Sequence, residues 1–201
     1  MSPAWFIAAL LPMFISQILR LQHHEAVGWI SWDYAGRICG LAVLALIPAA
    51  RAIAFRREVR RLPLWKIGLW VVGVLVVCIA LIGLERPINA ALPMTVLGHY
   101  PRSYGWLHLV DVTFGLALVA FSEEIMFRRL ARDMLRPWLG DRALMVLATS
   151  AMFGAYHWWA GLGAVISTAI CGVAFMVLYR RSGALWPSIV AHYLVDLYFF
   201  A

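Results

Sequence analysis

The sequence predicts an all-α, polytopic transmembrane helix bundle of about seven spans, and three observations carry that expectation. The first is composition. Of 201 residues, 64% are hydrophobic and 13% charged, with a mean hydropathy of +0.82, against ~45–50% apolar and ~25% charged in soluble domains. So apolar a chain lacks the polar surface to dissolve as a globule, which excludes a soluble enzyme, a disordered protein and a nucleic-acid binder. The second is segmentation. Seven apolar runs approach the ~20 residues that cross a ~30 Å hydrocarbon core: residues 4–19, 32–50, 67–84, 106–127, 143–159, 162–179 and 184–200. The third is the placement of charge. Thirteen of the 17 basic residues fall in the second, fourth and sixth gaps and three in the odd gaps, with Arg37 left inside a span.

This alternation accounts for the net charge of +7 without a nucleic-acid partner, and the positive-inside rule turns it into an N-terminus inside and a C-terminus outside. The first run is short, but it lacks a basic leader and an A-x-A-like exit, and more spans follow. It is expected as an uncleaved signal-anchor. Residues 85–105 form the longest external connection. Pro87, Pro93 and Pro101 argue against a long helix there, while Leu92, Met94, Val96 and Leu97 argue against a fully solvated loop, so an eighth, interfacial segment has room in it. Cys39, Cys78 and Cys171 lie at unrelated spacings within apolar runs, neither a disulfide framework nor a zinc pattern; they are expected as small apolar packing residues.

Ionisable residues inside spans are costly and usually serve a site. Glu25, Glu58, Glu85, Asp133 and Asp141 are expected in loops or at helix ends. Asp33 and Arg37, four apart, suit an ordinary helix pair near the outer interface, and His108 with Asp111 is expected to be interfacial. What remains is Glu123 and Glu124 in the fourth run, His157 in the fifth, and His192 with Asp196 in the seventh. Two adjacent carboxylates disfavour each other's ionisation. Arg128, four residues after Glu124, can hold one of them charged, while Glu123 projects about 100° away and faces the bundle interior. Such a division of labour is what general acid–base chemistry needs. Phe153 shares a face with His157 and can shield its ring from water. Counted along ideal helices, His192 is about 9 Å from the inner edge, His157 about 22 Å past Arg142 and, if the fourth helix continues to Arg136, Glu123 near 20 Å along it, a depth mismatch that tilt or an inner-loop helix starting outside the bilayer would remove.

The spelling of these segments adds a second line of inference. Glu123-Glu124-Ile125-Met126-Phe127-Arg128 reads EExxxR, Phe153 to His157 reads FxxxH, and His192 to Asp196 reads HxxxD. In this order, with the lead-in GALWPSIVAH over residues 183–192, they resemble the CPBP family of CAAX proteases and bacteriocin-processing proteins, the ABI group of glutamic-type intramembrane proteases. The likeness covers roughly residues 106–200. The first hundred residues match only as generic membrane helices, and the apolar runs give them three N-terminal spans and an external loop over 1–105; the resemblance implies a four-span catalytic core over 106–200 with a conical cavity within the membrane.

The resemblance further implies hydrolysis of a peptide bond near the terminus or anchor of a membrane-associated protein. Glu123 and His157 would activate a water, Glu124 locked to Arg128 would be structural, and His192 would face the oxyanion. Asp196 stands where the family has Asn or Asp; an ionised Asp cannot donate, so it is expected to orient His192. No cofactor is expected. Glu123, His157 and His192 could supply three zinc ligands, but there is no HExxH helix and the family chemistry is metal-independent. The expected setting is the plasma membrane of a prokaryote, which disfavours prenylated clients and leaves bacteriocin maturation, self-immunity or removal of C-terminal sorting helices. The competing readings are a non-catalytic immunity or scaffold protein of the same family, and a proton-coupled carrier, which would need inverted repeats or broken helices.

Overall fold

In lipid, a backbone must satisfy its own polar groups, so apolar runs of this length fold as helices. The computed structural model describes residues 3–201. Eight helices follow in order: α1 Pro3–Arg20, α2 Ala26–Leu46, α3 Pro48–Ala54, α4 Leu64–Ala91, α5 over residues 105–139, α6 Ala143–Tyr156, α7 Leu162–Ser182 and α8 Trp186–Phe200. Helix α5 is continuous but contains two π-helical turns, Asp111–Gly115 and Ile125–Leu130. A 3₁₀ turn, Pro93–Thr95, and a single antiparallel bridge between Val96 and Ala160 complete the regular structure, with no strand among the described residues.

Each of the seven apolar runs forms a helix. By length and composition alone α1, α4 and α7 can cross a bilayer, and α2 with α3 makes a fourth candidate bent by 109°. Helices α6 and α8 have 14 and 15 residues, about 21 and 23 Å at 1.5 Å per residue, short of a ~30 Å core. The middle of α5 carries Glu123, Glu124, Arg128 and Arg129.

Several boundaries differ from the sequence expectation for identifiable reasons. The second run breaks at Ile47, which takes an extended conformation (φ −91°, ψ 111°) because Pro48 follows it; Pro48 then occupies the first position of α3. Thus the eighth helix lies after the second span and not in the 85–105 connection. Helix α4 continues through Pro87 to Ala91, where Asn89 donates to the Ala160 carbonyl (3.0 Å) and accepts from the Gly163 amide (2.8 Å). Helix α5 runs on to Leu139 and ends at Gly140, whose φ of +64° suits glycine. Cys39 is exposed, while Cys78 and Cys171 pack in the interior.

The pairs α1/α2, α4/α7 and α6/α7 pack along their lengths. The α6/α7 crossing is close because small residues face each other: Gly154 lies against Val165 and Ala169, and Gly172 against Ser150 and Phe153. On the opposite side α4 presents Leu69, Val72, Val76 and Leu84, each more than half exposed. A row of this kind is a lipid-facing surface, since water would penalise it.

Gly154→Leu should therefore force α6 off the Val165 carbonyl and destabilise the bundle by about 1–3 kcal/mol. Gly68→Leu, where a side chain meets open space, should leave thermal unfolding in detergent unchanged. Equal losses in the two variants would contradict this account of the crossing.

Candidate active site

Glu123 and Glu124 close the α-helical part of α5 immediately before its second π turn, and both are buried. Such π turns re-aim neighbouring side chains and recur at functional sites. Each carboxylate meets its own arginine. Arg128 Nε donates to Glu124 Oε2 at 3.0 Å. The rest of that guanidinium lies over the rings of Phe153 (4.6 Å) and Phe175 (5.6 Å), where cation–π attraction offsets the burial of Nη1 and Nη2, which have no hydrogen-bond partner.

Glu123 is held from the other half of the chain. Arg37 of α2 reaches across with Nη2 2.8 Å from Glu123 Oε1, while its Nη1 donates to Ser122 Oγ (3.0 Å) and its Nε to Asp33 Oδ2 (2.8 Å). Asp33 is paired in turn with Arg20 of α1, whose guanidinium sits over Trp159 (4.5 Å) and Trp29 (4.9 Å). A buried chain of alternating charge thus links Arg20, Asp33, Arg37 and Glu123 across three helices.

The second carboxylate oxygen of Glu123 has a different environment. Oε2 is buried without a hydrogen-bond partner and lies 3.9 Å from His157 Nε2 and 3.8 Å from His192 Nε2. His157 follows directly on α6, and its Nδ1 donates to the Phe153 carbonyl at 2.9 Å. In the neutral ring this leaves Nε2 as the acceptor facing Glu123. His192 Nδ1 is 3.1 Å from Glu124 Oε1, and its Nε2 is 3.5 Å from Asp196 Oδ2. Phe175 stacks on the His192 ring (5.0 Å, 18° between planes), and Phe153 meets both imidazoles edge-on.

These imidazoles and Asp196 line a cavity of about 820 Å³, with Glu85, Arg86 and Ser167 further along its wall. It reaches the surface beside His99, Phe199 and Phe200, all exposed. That end of the bundle, formed by the C-termini of α4, α6 and α8, is opposite the one bearing the arginine-rich segments. Among the described residues no group of three or more His, Cys, Asp or Glu side chains has the arrangement to hold a metal ion.

All seven residues singled out from the sequence, Glu123, Glu124, Arg128, Phe153, His157, His192 and Asp196, are thus neighbours, so the unequal depths counted along ideal helices do not keep them apart. Other expectations are corrected. Asp33 and Arg37 do form the expected i, i+4 pair, but it is buried and not interfacial, because the guanidinium has five N–H donors on three nitrogens and Asp33 engages only one of them, leaving the others for Ser122 and Glu123. The available signal was that Arg37 is the one basic residue inside an expected span. Asp111 is buried, accepting from Tyr34 and Tyr100 at 2.8–2.9 Å. Glu85 belongs to α4 and faces Ser167 (3.3 Å). Glu58 lies in a loop as expected, and there it accepts from Arg129, Tyr179 and the Leu185 amide. Nothing in the pattern marks Phe175, which reads as one more apolar residue.

Residues 104–198, a little under half of the chain, match the family model described as type II CAAX prenyl endopeptidase Rce1-like. Over this segment the chain is similar to the CAAX-type proteases of the CPBP kind, a likeness that supports a membrane protease at family level. Neither a curated protein nor a solved structure was found to match.

Removing Arg128 should expose the cost of a buried, unpaired Glu124. Arg128→Met is expected to lose about 3–5 kcal/mol of stability in a denaturant titration, and Arg128→Met/Glu124→Gln to recover a large part of it. Equal losses in the single and double variants would mean that the pair contributes only packing.

Proposed function

We propose that the chain is an intramembrane endopeptidase that cleaves near the terminus or anchor segment of a membrane-associated protein, using a water activated by Glu123 and His157. One observation carries the reading: the unpartnered, buried Oε2 of Glu123 faces two imidazole nitrogens at distances too long for direct hydrogen bonds and short enough for one bridging water. A water there donates one hydrogen to the carboxylate and the other to His157 Nε2, and turns a lone pair toward a peptide carbonyl in the cavity. Loss of a proton to Glu123 accompanies attack. With Arg37 on its other oxygen, Glu123 is positioned to present Oε2 alone.

His192 serves the developing oxyanion. Its Nδ1–H donates to Glu124 Oε1, so donation from Nε2 to the oxyanion uses the doubly protonated ring. Glu124 therefore orients His192 while Arg128 orients Glu124, and Asp196 lines the cavity beside the donor nitrogen. Residues 106–200 carry this chemistry, and residues 1–105 contribute the arginine that holds the base. The arginine distribution supports a prokaryotic plasma membrane with the N-terminus inside and the C-terminus outside. On that orientation the cavity receives its substrate from the outer side, which favours removal of external sorting or anchor segments over prenylated cytosolic clients.

Glu123→Gln, His157→Ala and His192→Ala should each lower cleavage by at least about 10²-fold while the protein still folds and accumulates. The measurement is mass spectrometry of the termini of membrane proteins in the native host. One class of termini should shift from processed to unprocessed in all three variants. Unchanged termini with normal protein levels would instead support a non-catalytic immunity or scaffold role.

A further inference from the structure

We propose that the arginine-rich end of the bundle holds an anionic phospholipid, with its phosphate in a cavity between α5 and α7 and an acyl chain in the groove along α4 and α7. This site is remote from the cavity lined by His157 and His192 and does not depend on the proteolytic reading.

The cavity, about 640 Å³, is lined by Arg56, Arg61, Arg132, Arg136, Arg180 and Arg181. Only two carboxylates share its wall, and both are already engaged. Glu58 pairs with Arg129 (2.7 Å), and Asp141 with Arg132 (2.8 Å) and Arg180 (3.5 Å). Arg56 uses Asp133 (2.6 Å) and the Tyr179 hydroxyl (2.8 Å). Among the described residues Arg61, Arg136 and Arg181 have no carboxylate within ion-pair distance, and the buried Nε of Arg132 has no hydrogen-bond partner. Six guanidiniums gathered around one cavity repel each other, and a bound phosphate relieves that repulsion with charge-assisted hydrogen bonds.

A second, independent feature says which phosphate. Val177 lines this cavity and also an apolar groove of about 410 Å³ formed with Leu69, Trp70, Gly73, Val77 and Ala174. Gly73 leaves open space where a side chain would project into the groove. A charged cavity that meets an apolar groove at Val177 fits an amphiphile, whereas a free phosphate ion would use only the cavity. The junction also falls where the apolar helices give way to arginine segments, the level of lipid headgroups, and basic pockets between helices at that level bind anionic headgroups.

The test is native mass spectrometry of the detergent-purified full chain titrated with dioleoyl-phosphatidylglycerol, with dioleoyl-phosphatidylcholine of identical tails, and with inorganic phosphate. Phosphatidylglycerol should bind at least tenfold more tightly than phosphatidylcholine. Arg136→Gln and Arg181→Gln, both at exposed side chains, should weaken it about fivefold per arginine removed, and Gly73→Leu should weaken it independently by filling the groove. Equal binding of the two lipids, or arginine variants with unchanged affinity, would overturn the proposal. Phosphate that displaces the lipid completely, together with no effect of Gly73→Leu, would make this a free-anion site and overturn it as well.

Discussion

Two adjacent carboxylates have to be kept inside an apolar bundle, and most of the architecture around α5 is arranged by that constraint. An unpaired carboxylate there would cost several kcal/mol, so Glu123 and Glu124 each require a cation that does not serve the other. Arg128 supplies one locally, four residues along the same helix. The other comes from Arg37, 86 positions earlier in the chain. The two solutions have different structural consequences. The local pair needs only helical geometry and aromatic rings under the guanidinium. The distant pair requires α2 to pack beside α5, and Arg37 is itself aligned by Asp33, which is held by Arg20 of α1. Helices α1 and α2 are therefore tied to the site by charge and not only by apolar packing.

The two ends of the bundle are chemically distinct for related reasons. One end gathers the arginine segments, closed by the contacts of Glu58 and Asp133. The other is nearly free of basic residues and is closed by neutral contacts: Asn89 on Ala160 and Gly163, Thr95 on Leu162, and the bridge between Val96 and Ala160. The cavity lined by His157, His192 and Asp196 reaches the surface at this second end. A charged ligand and a polypeptide segment would thus approach the same protein from opposite sides.

Much of this was legible in the sequence because the informative residues are rare there. In a chain that is 13% charged, Glu123, Glu124, His157, His192 and Asp196 stand out against apolar surroundings, and the i, i+4 spacing of Glu124 and Arg128 names its own pairing. The helical class followed from composition, since lipid admits few alternatives. The long-range partner of Glu123 was not legible: Asp33 and Arg37 satisfy a local rule, and a local rule says nothing about the unused donors of a guanidinium. The continuation of α5 beyond Phe127 could be considered from sequence, but its two π turns could not, because apolar spacing does not distinguish a π turn from an α-helical one. Phe175 lacks any sequence signal, as stacking on an imidazole depends on the crossing of α7 and α8 and not on residue order.

The dependence of Glu123 on Arg37 is the claim on which the rest stands, and a double-mutant cycle measures it most directly. Stability in a denaturant titration would be compared for the wild type, Arg37→Met, Glu123→Gln and the double variant. The account predicts strong coupling, within the ~0.5–3 kcal/mol found for residues in one buried network, with Arg37→Met less harmful once Glu123 is already neutral. Additive losses would contradict it and would leave Glu123 without the partner that the fold provides.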